Sequence, residues 1–125
     1  MLEVNVTKFD LEENGMETLF RPWQAGIVTW FLKGHSFITR KAHEFINGAG
    51  FKVSRASVIT GFINPLVEEG LLRYHEETGK GGYHRVYQSV YDVDGFVDEM
   101  VKRITDKLQQ TFPEIVVTVA RKKPE

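Results

Sequence analysis

Val53-Ser-Arg-Ala-Ser-Val-Ile-Thr-Gly-Phe-Ile-Asn-Pro-Leu-Val-Glu-Glu-Gly-Leu-Leu72 runs directly into Arg73-Tyr-His-Glu-Glu-Thr-Gly-Lys-Gly-Gly-Tyr-His-Arg-Val-Tyr-Gln-Ser-Val-Tyr91. The first half predicts a helix capped by Ser54, running through Glu69 and closed by Gly70 at the position after its end. Ala56, Ile59, Phe62, Ile63, Leu66 and Val67 fall together at helical spacing, so that side is expected to face a core. With Ile59 inward, Ser54, Ser57, Thr60, Gly61 and Asn64 project outward. Pro65 has no N–H to return and is expected to kink the helix or open its last turn. The second half predicts a β-hairpin, with strands Leu71–His75 and Tyr83–Tyr91 joined by a mobile, glycine-rich loop from Glu76 to Gly82.

Upstream, Leu2, Val4 and Val6 alternate with polar residues, the pattern of a short strand. A polar loop follows from Asp10 to Gly15. Pro22 suits the first turn of a helix carrying Trp23, Ile27, Trp30 and Phe31 inward and ending at Gly34. A second helix starts near Ser36 or Thr39, either of which can cap it, buries Ala42, Phe45 and Ile46, and stops at Asn47, Gly48 and Gly50. Downstream, Phe96, Met100, Ile104 and Leu108 recur every four residues, with Val97, Val101 and Phe112 beside them. They predict a helix from Asp94 to Phe112, capped by Asp92 or Asp94 and ended by Pro113. Ile115–Val119 reads as another short strand. The expected class is α+β. An extended segment (1–17) precedes a central domain (18–91), a further helix (92–114) and a strand with a basic tail (115–125).

At 125 residues and 42% hydrophobic content the chain is expected to form one domain with a real core. The absence of cysteine excludes disulfides, thiolate catalysis and cysteine-ligated metal, and fits a cytoplasmic location. Met1–Lys8 lacks a basic region followed by an apolar run, so no signal peptide is expected, and no run is long enough to span a bilayer. The net charge of −1 conceals segregation: residues 21–91 hold nine basic and five acidic side chains, whereas 1–20 hold one basic and five acidic. Residues 92–114 hold three basic and six acidic. A basic middle between acidic flanks suits a central face that meets an anion.

Small, hydroxyl-bearing side chains let a helix approach nucleic acid closely, and asparagine pairs with adenine. Arg55 lies at the helix N-terminus, where phosphate is attracted. Lys80 sits within Gly79-Lys80-Gly81-Gly82, with Arg85 just beyond. Helix, helix, helix, hairpin is the order of a winged helix-turn-helix domain that binds duplex DNA. The expected DNA-binding set is Arg40, Lys41, Ser54, Arg55, Ser57, Val58, Thr60, Gly61, Asn64, Lys80, His84 and Arg85. Of four histidines, His75 and His84 are placed to face each other across the hairpin near Glu76 or Glu77. A metal site there lacks the usual ligand spacing, and His84 is read instead as a phosphate contact or surface group. No nucleophile elbow or buried carboxylate pair appears, so neither an enzyme nor a cofactor is expected.

Ser54-Arg55-Ala56-Ser57-Val58-Ile59, Leu66-Val67-Glu68-Glu69-Gly70-Leu71-Leu72 and Gly79-Lys80-Gly81-Gly82-Tyr83-His84-Arg85-Val86-Tyr87 resemble the penicillinase-repressor family of winged-helix regulators, the BlaI/MecI type. Thr18-Leu19-Phe20-Arg21-Pro22-Trp23-Gln24 looks like the approach to the first helix in archaeal-style members. The resemblance spans roughly residues 18–112 by pattern. It departs at positions 56–58, where members often place threonines and a tyrosine, and at Pro65. It implies a dimeric transcription regulator, a repressor on a palindromic operator, with recognition by Ser54, Arg55, Ser57, Val58, Thr60 and Gly61 and a wing bearing Lys80 and Arg85. The dimer seam is expected along Phe96, Val97, Met100, Val101, Ile104, Leu108 and Phe112. The competing expectation is a winged-helix protein-interaction module that never touches DNA, whose equivalent surface would be apolar or acidic.

Overall fold

The computed structural model describes Asp10 and residues 12–120. The alternating run Leu2–Val6 lies outside the described residues, as does the tail 121–125. A 3₁₀ turn, Gly15–Thr18, precedes α1 (Pro22–Leu32) and α2 (Thr39–Gly48). Then come α3 (Arg55–Val58), a π-helical segment (Ile59–Ile63) and α4 (Asn64–Glu68), three parts of one continuous helical run. A two-stranded antiparallel sheet of β1 (Leu72–Gly79) and β2 (Gly82–Ser89) leads to α5 (Val93–Thr111). The class is α+β, with helices preceding a hairpin in the order the sequence predicts.

Local chemistry sets most boundaries. Pro22 opens α1, and the Arg21 N–H donates to Gln24 Oε1 at 3.1 Å. Asp92, not Asp94, caps α5: its carboxylate accepts from the Gly95 N–H at 2.7 Å. The cap of α2 differs from expectation. Ile38 holds that position and supplies no side-chain acceptor, with Thr39 already inside the helix. The cause is tertiary: Phe37 pairs with Tyr87 through two backbone hydrogen bonds of 3.0 and 2.7 Å, which fixes extended backbone up to the helix start.

Pro65 acts by widening a turn. Ser54 caps the run as predicted, its Oγ accepting from the Ser57 N–H at 3.1 Å. Further on, the Asn64 N–H reaches back five residues to the Ile59 carbonyl. The next residue has no N–H, and its ring would press on the carbonyl four positions earlier. The π turn absorbs this misfit. One extra residue in a turn shifts everything N-terminal to it by about 100° relative to the rest of the helix. Val58 therefore takes the core position expected for Ile59, and is fully buried with Phe62, Ile63 and Leu66. Ile59 is only half-buried, and Ala56 is exposed. Gly70 closes the run at φ +76°, with Leu71 N–H bonded to the Leu66 carbonyl and Gly70 N–H to that of Val67.

The hairpin is longer and tighter than the sequence suggests. Leu72 pairs with Ser89 and the register continues outward to Gly79 opposite Gly82, leaving only Lys80 and Gly81 in the turn. The expected seven-residue mobile loop is therefore mostly paired strand. Gly81 and Gly82 adopt φ of +90° and +109°, which side-chain-bearing residues rarely do. The run Glu76–Gly79, three polar residues and a glycine, hid strand pairing that depends on backbone rather than side chains.

The core joins every helix. Phe20 meets Phe62 edge-on at 5.9 Å, and Phe96 lies 6.2 Å from Phe20 and 6.4 Å from Phe31. Phe96 and Met100 of α5 are thus buried within their own chain and cannot line a seam with a second copy. Arg103 is buried too. Its guanidinium donates to Glu99 Oε1 at 3.0 Å, to Glu69 Oε2 at 2.9 Å and to the Glu69 carbonyl, tying α5 to the end of α4. Ile115–Val119 forms no strand. The Gln109 side chain instead donates to the Ile115 carbonyl and accepts from the Val117 N–H at 3.0 Å. No helix among the described residues is long and apolar enough to cross a membrane.

Candidate nucleic-acid interface

The α1–α2 loop, the start of α3 and the hairpin converge because Phe37 and Tyr87 are paired. That bridge sets β2 beside the first turn of α2. Two residues before Tyr87 on the strand, Arg85 then lies near Arg40. The result is a cleft of about 560 Å³ lined by Ile38, Thr39, Arg40, Arg55, Ile59, Lys80, His84, Arg85 and Tyr87. Four permanent cations and a histidine line it, and no carboxylate does. Residues 45 positions apart in sequence, Arg40 and Arg85, share this one concavity.

Each cation is held differently. Arg40 makes an i, i+4 pair with Glu44 at 3.3 Å, a contact it shares with Lys41 at 3.5 Å. These side chains are more than half exposed, so the pairing screens the charge without removing it from reach. Arg85 lies over the Tyr74 ring at 4.2 Å. Its pKa is raised above the usual arginine value, first by a side-chain hydrogen bond with Tyr87 and then by the electrostatic influence of Tyr74. Arg85 is a fixed, always-charged anchor. Arg55 and Lys80 make no ion pair among the described residues and stay available to an external anion. His84 is seated by a missing side chain, since a Cβ on Gly79 would lie 2.8 Å from its Cε1. The α2 N-terminus, without a side-chain cap, adds the positive end of a helix dipole to the same region.

Of the predicted site residues, Arg40, Arg55, Lys80, His84 and Arg85 are brought together. Lys41, Ser54, Ser57, Thr60 and Gly61 are exposed and Asn64 half-buried, and none of them lines the cleft. Ser54 and Ser57 are occupied with each other, Oγ to Oγ at 2.9 Å, in addition to the cap. Val58 is removed from the set: full burial leaves it no surface to offer. Ile38, Thr39, Ile59 and Tyr87 join the lining. From sequence, Ile59 is expected in the core, Tyr87 in a strand and Thr39 at a helix start, so only the long-range pairing reveals them as lining.

The histidine pairing also changes. His75 stands opposite Val86, and His84 opposite Glu77. His75 Nε2 contacts Glu77 Oε2 at 2.6 Å. Among the described residues no three metal-capable side chains come together.

A second concavity, of about 400 Å³, is lined by Gly15, Met16, Thr18 and Leu19 against Phe96, Val97, Met100, Val101 and Ile104 of α5. It is nearly all carbon. Beyond it Leu108 and Phe112 are exposed at 43% and 46%.

Comparison with protein-family models, with curated proteins and with solved structures finds no match to this chain.

Proposed function

We propose that the chain is a winged-helix regulator of transcription that binds double-stranded DNA, acting as a homodimeric repressor on a palindromic operator. The observation that carries this reading is the convergence of Arg40, Arg55, Lys80, His84 and Arg85 from three separate elements on one cleft without a carboxylate. A polyanion is the partner that chemistry fits: phosphates pair with the arginine forks and the helix N-terminus, and the hairpin reaches along the duplex. A protein-docking surface at the same place would be wholly apolar or acidic, whereas this cleft sets four cations around its apolar side chains. The second copy is drawn to Val97, Val101, Ile104, Leu108 and Phe112, the partly exposed apolar side chains along and just beyond α5. Two such subunits would present their helical runs about one DNA turn apart, roughly 34 Å.

The test is a salt titration of duplex binding. Each phosphate contact contributes about 0.9 to the slope of log affinity against log salt. Arg55→Ala and Lys80→Ala are expected to weaken binding and each to reduce that slope by about 0.9 per subunit, while Lys52→Ala, outside the cleft, does neither. Unchanged affinity and slope for both cleft variants would overturn the proposal.

A further inference from the structure

We propose that Ile59 is the base-reading residue of this surface, covering the 5-methyl group of thymine in the major groove; the inference rests on the DNA-binding reading above. A cation on a phosphate positions a duplex but carries no sequence information. Bases are told apart in the major groove by hydrogen bonds and by the thymine methyl, an apolar group that an aliphatic side chain covers.

The hydroxyls nearest the helix start do not supply such a contact within the cleft: Ser54 is committed to the cap and donates to Ser57, and neither lines the cleft. The aliphatic role has a candidate that the fold itself creates. The widened turn before Pro65 gives the core position to Val58 and turns Ile59 into the cationic cleft, half-buried and in company with Ile38. A phosphate leaves two isoleucines unmatched, since neither offers it a hydrogen bond. A ligand carrying both phosphate and methyl matches the whole lining.

The measurement is binding of the full chain to alternating dA–dT and dA–dU duplexes of about 20 base pairs, at fixed low salt, by fluorescence anisotropy. The two probes have the same charge and hydrogen-bonding groups and differ in the methyl alone. Covering one methyl favours the thymine duplex by about fourfold per contact. Wild type is expected to show that preference, Ile59→Val to keep most of it, and Ile59→Ala to lose it while still binding both duplexes. Equal affinity of wild type for the two duplexes overturns the inference, with no variant needed. Persistence of the preference in Ile59→Ala, with circular dichroism showing a folded chain, also overturns it by assigning the methyl to another group. Failure of wild type to bind either duplex is a separate result that removes the DNA-binding reading and this inference with it.

Discussion

Val58 and Ile59 are adjacent β-branched residues of nearly the same chemistry, yet they face opposite environments. Val58 touches no solvent, whereas Ile59 lines the cleft. Their substitutions should therefore separate cleanly. Val58→Ala removes two fully buried methyl groups and leaves a cavity, so it is expected to cost about 2 kcal/mol in urea unfolding. Ile59→Ala deletes more atoms but from a partly exposed site that leaves no closed cavity, and is expected to cost less than Val58→Ala. The reverse ranking would show that the helical run is regular α-helix and that Ile59 faces the core. The other informative side chain is Arg103, whose charge inside the fold is offset by two carboxylates and a carbonyl from two elements. It fixes where α5 crosses the end of α4.

At the scale of elements, the hairpin divides into two parts. Its base is anchored, with Leu72 and Tyr87 buried and Tyr87 paired to Phe37. The outer part, from Arg73 to Arg85, is exposed on every residue. Its geometry depends on backbone pairing and on the turn glycines rather than on packing. Gly81→Ala forces a side chain into φ near +90°, a strain of about 1–2 kcal/mol. Because the outer hairpin shares little with the core, that strain should be relieved locally. Amide exchange across residues 76–85 is expected to accelerate several-fold, with the global melting temperature nearly unchanged. A large drop in melting temperature would show that the hairpin tip is coupled to the core.

For the molecule as a whole, α5 serves two masters along its length. Its first half closes the core through Phe96 and Met100, and its second half and C-cap carry Leu108 and Phe112 outward. Charge at the two ends should have opposite consequences. On the proposed dimer, Leu108→Glu with Phe112→Glu is expected to leave helicity intact and to give a monomer in light scattering. Met100→Glu instead buries a charge among apolar side chains and is expected to unfold the chain. A wild-type monomer at micromolar concentration would count against the second copy on α5.

How much of this was legible in the residues depends on the range of the interaction responsible. Local rules settle by themselves the cap at Ser54, the stop at Gly70, Pro22 at the start of α1 and the apolar repeat of α5. Each acts within about one turn, through a hydrogen bond or a backbone preference written in neighbouring residues. The α+β order and the basic middle of the chain follow from the same level. Even Pro65 announces a disturbance, though not its form. What the tertiary structure decided is phase and convergence. A turn widened by one residue exchanges Val58 with Ile59, and the spacing of apolar residues fits either arrangement until the core selects one. The Phe37–Tyr87 pair sets the cap of α2 and brings Arg40 to Arg85, and no local pattern encodes it, because a backbone pair between distant residues forms only when packing holds both strands in place. The burial of Phe96 and Met100 has the same origin: an amphipathic helix specifies that one face must be covered, and only the positions of Phe20 and Phe31 determine that the chain covers it itself.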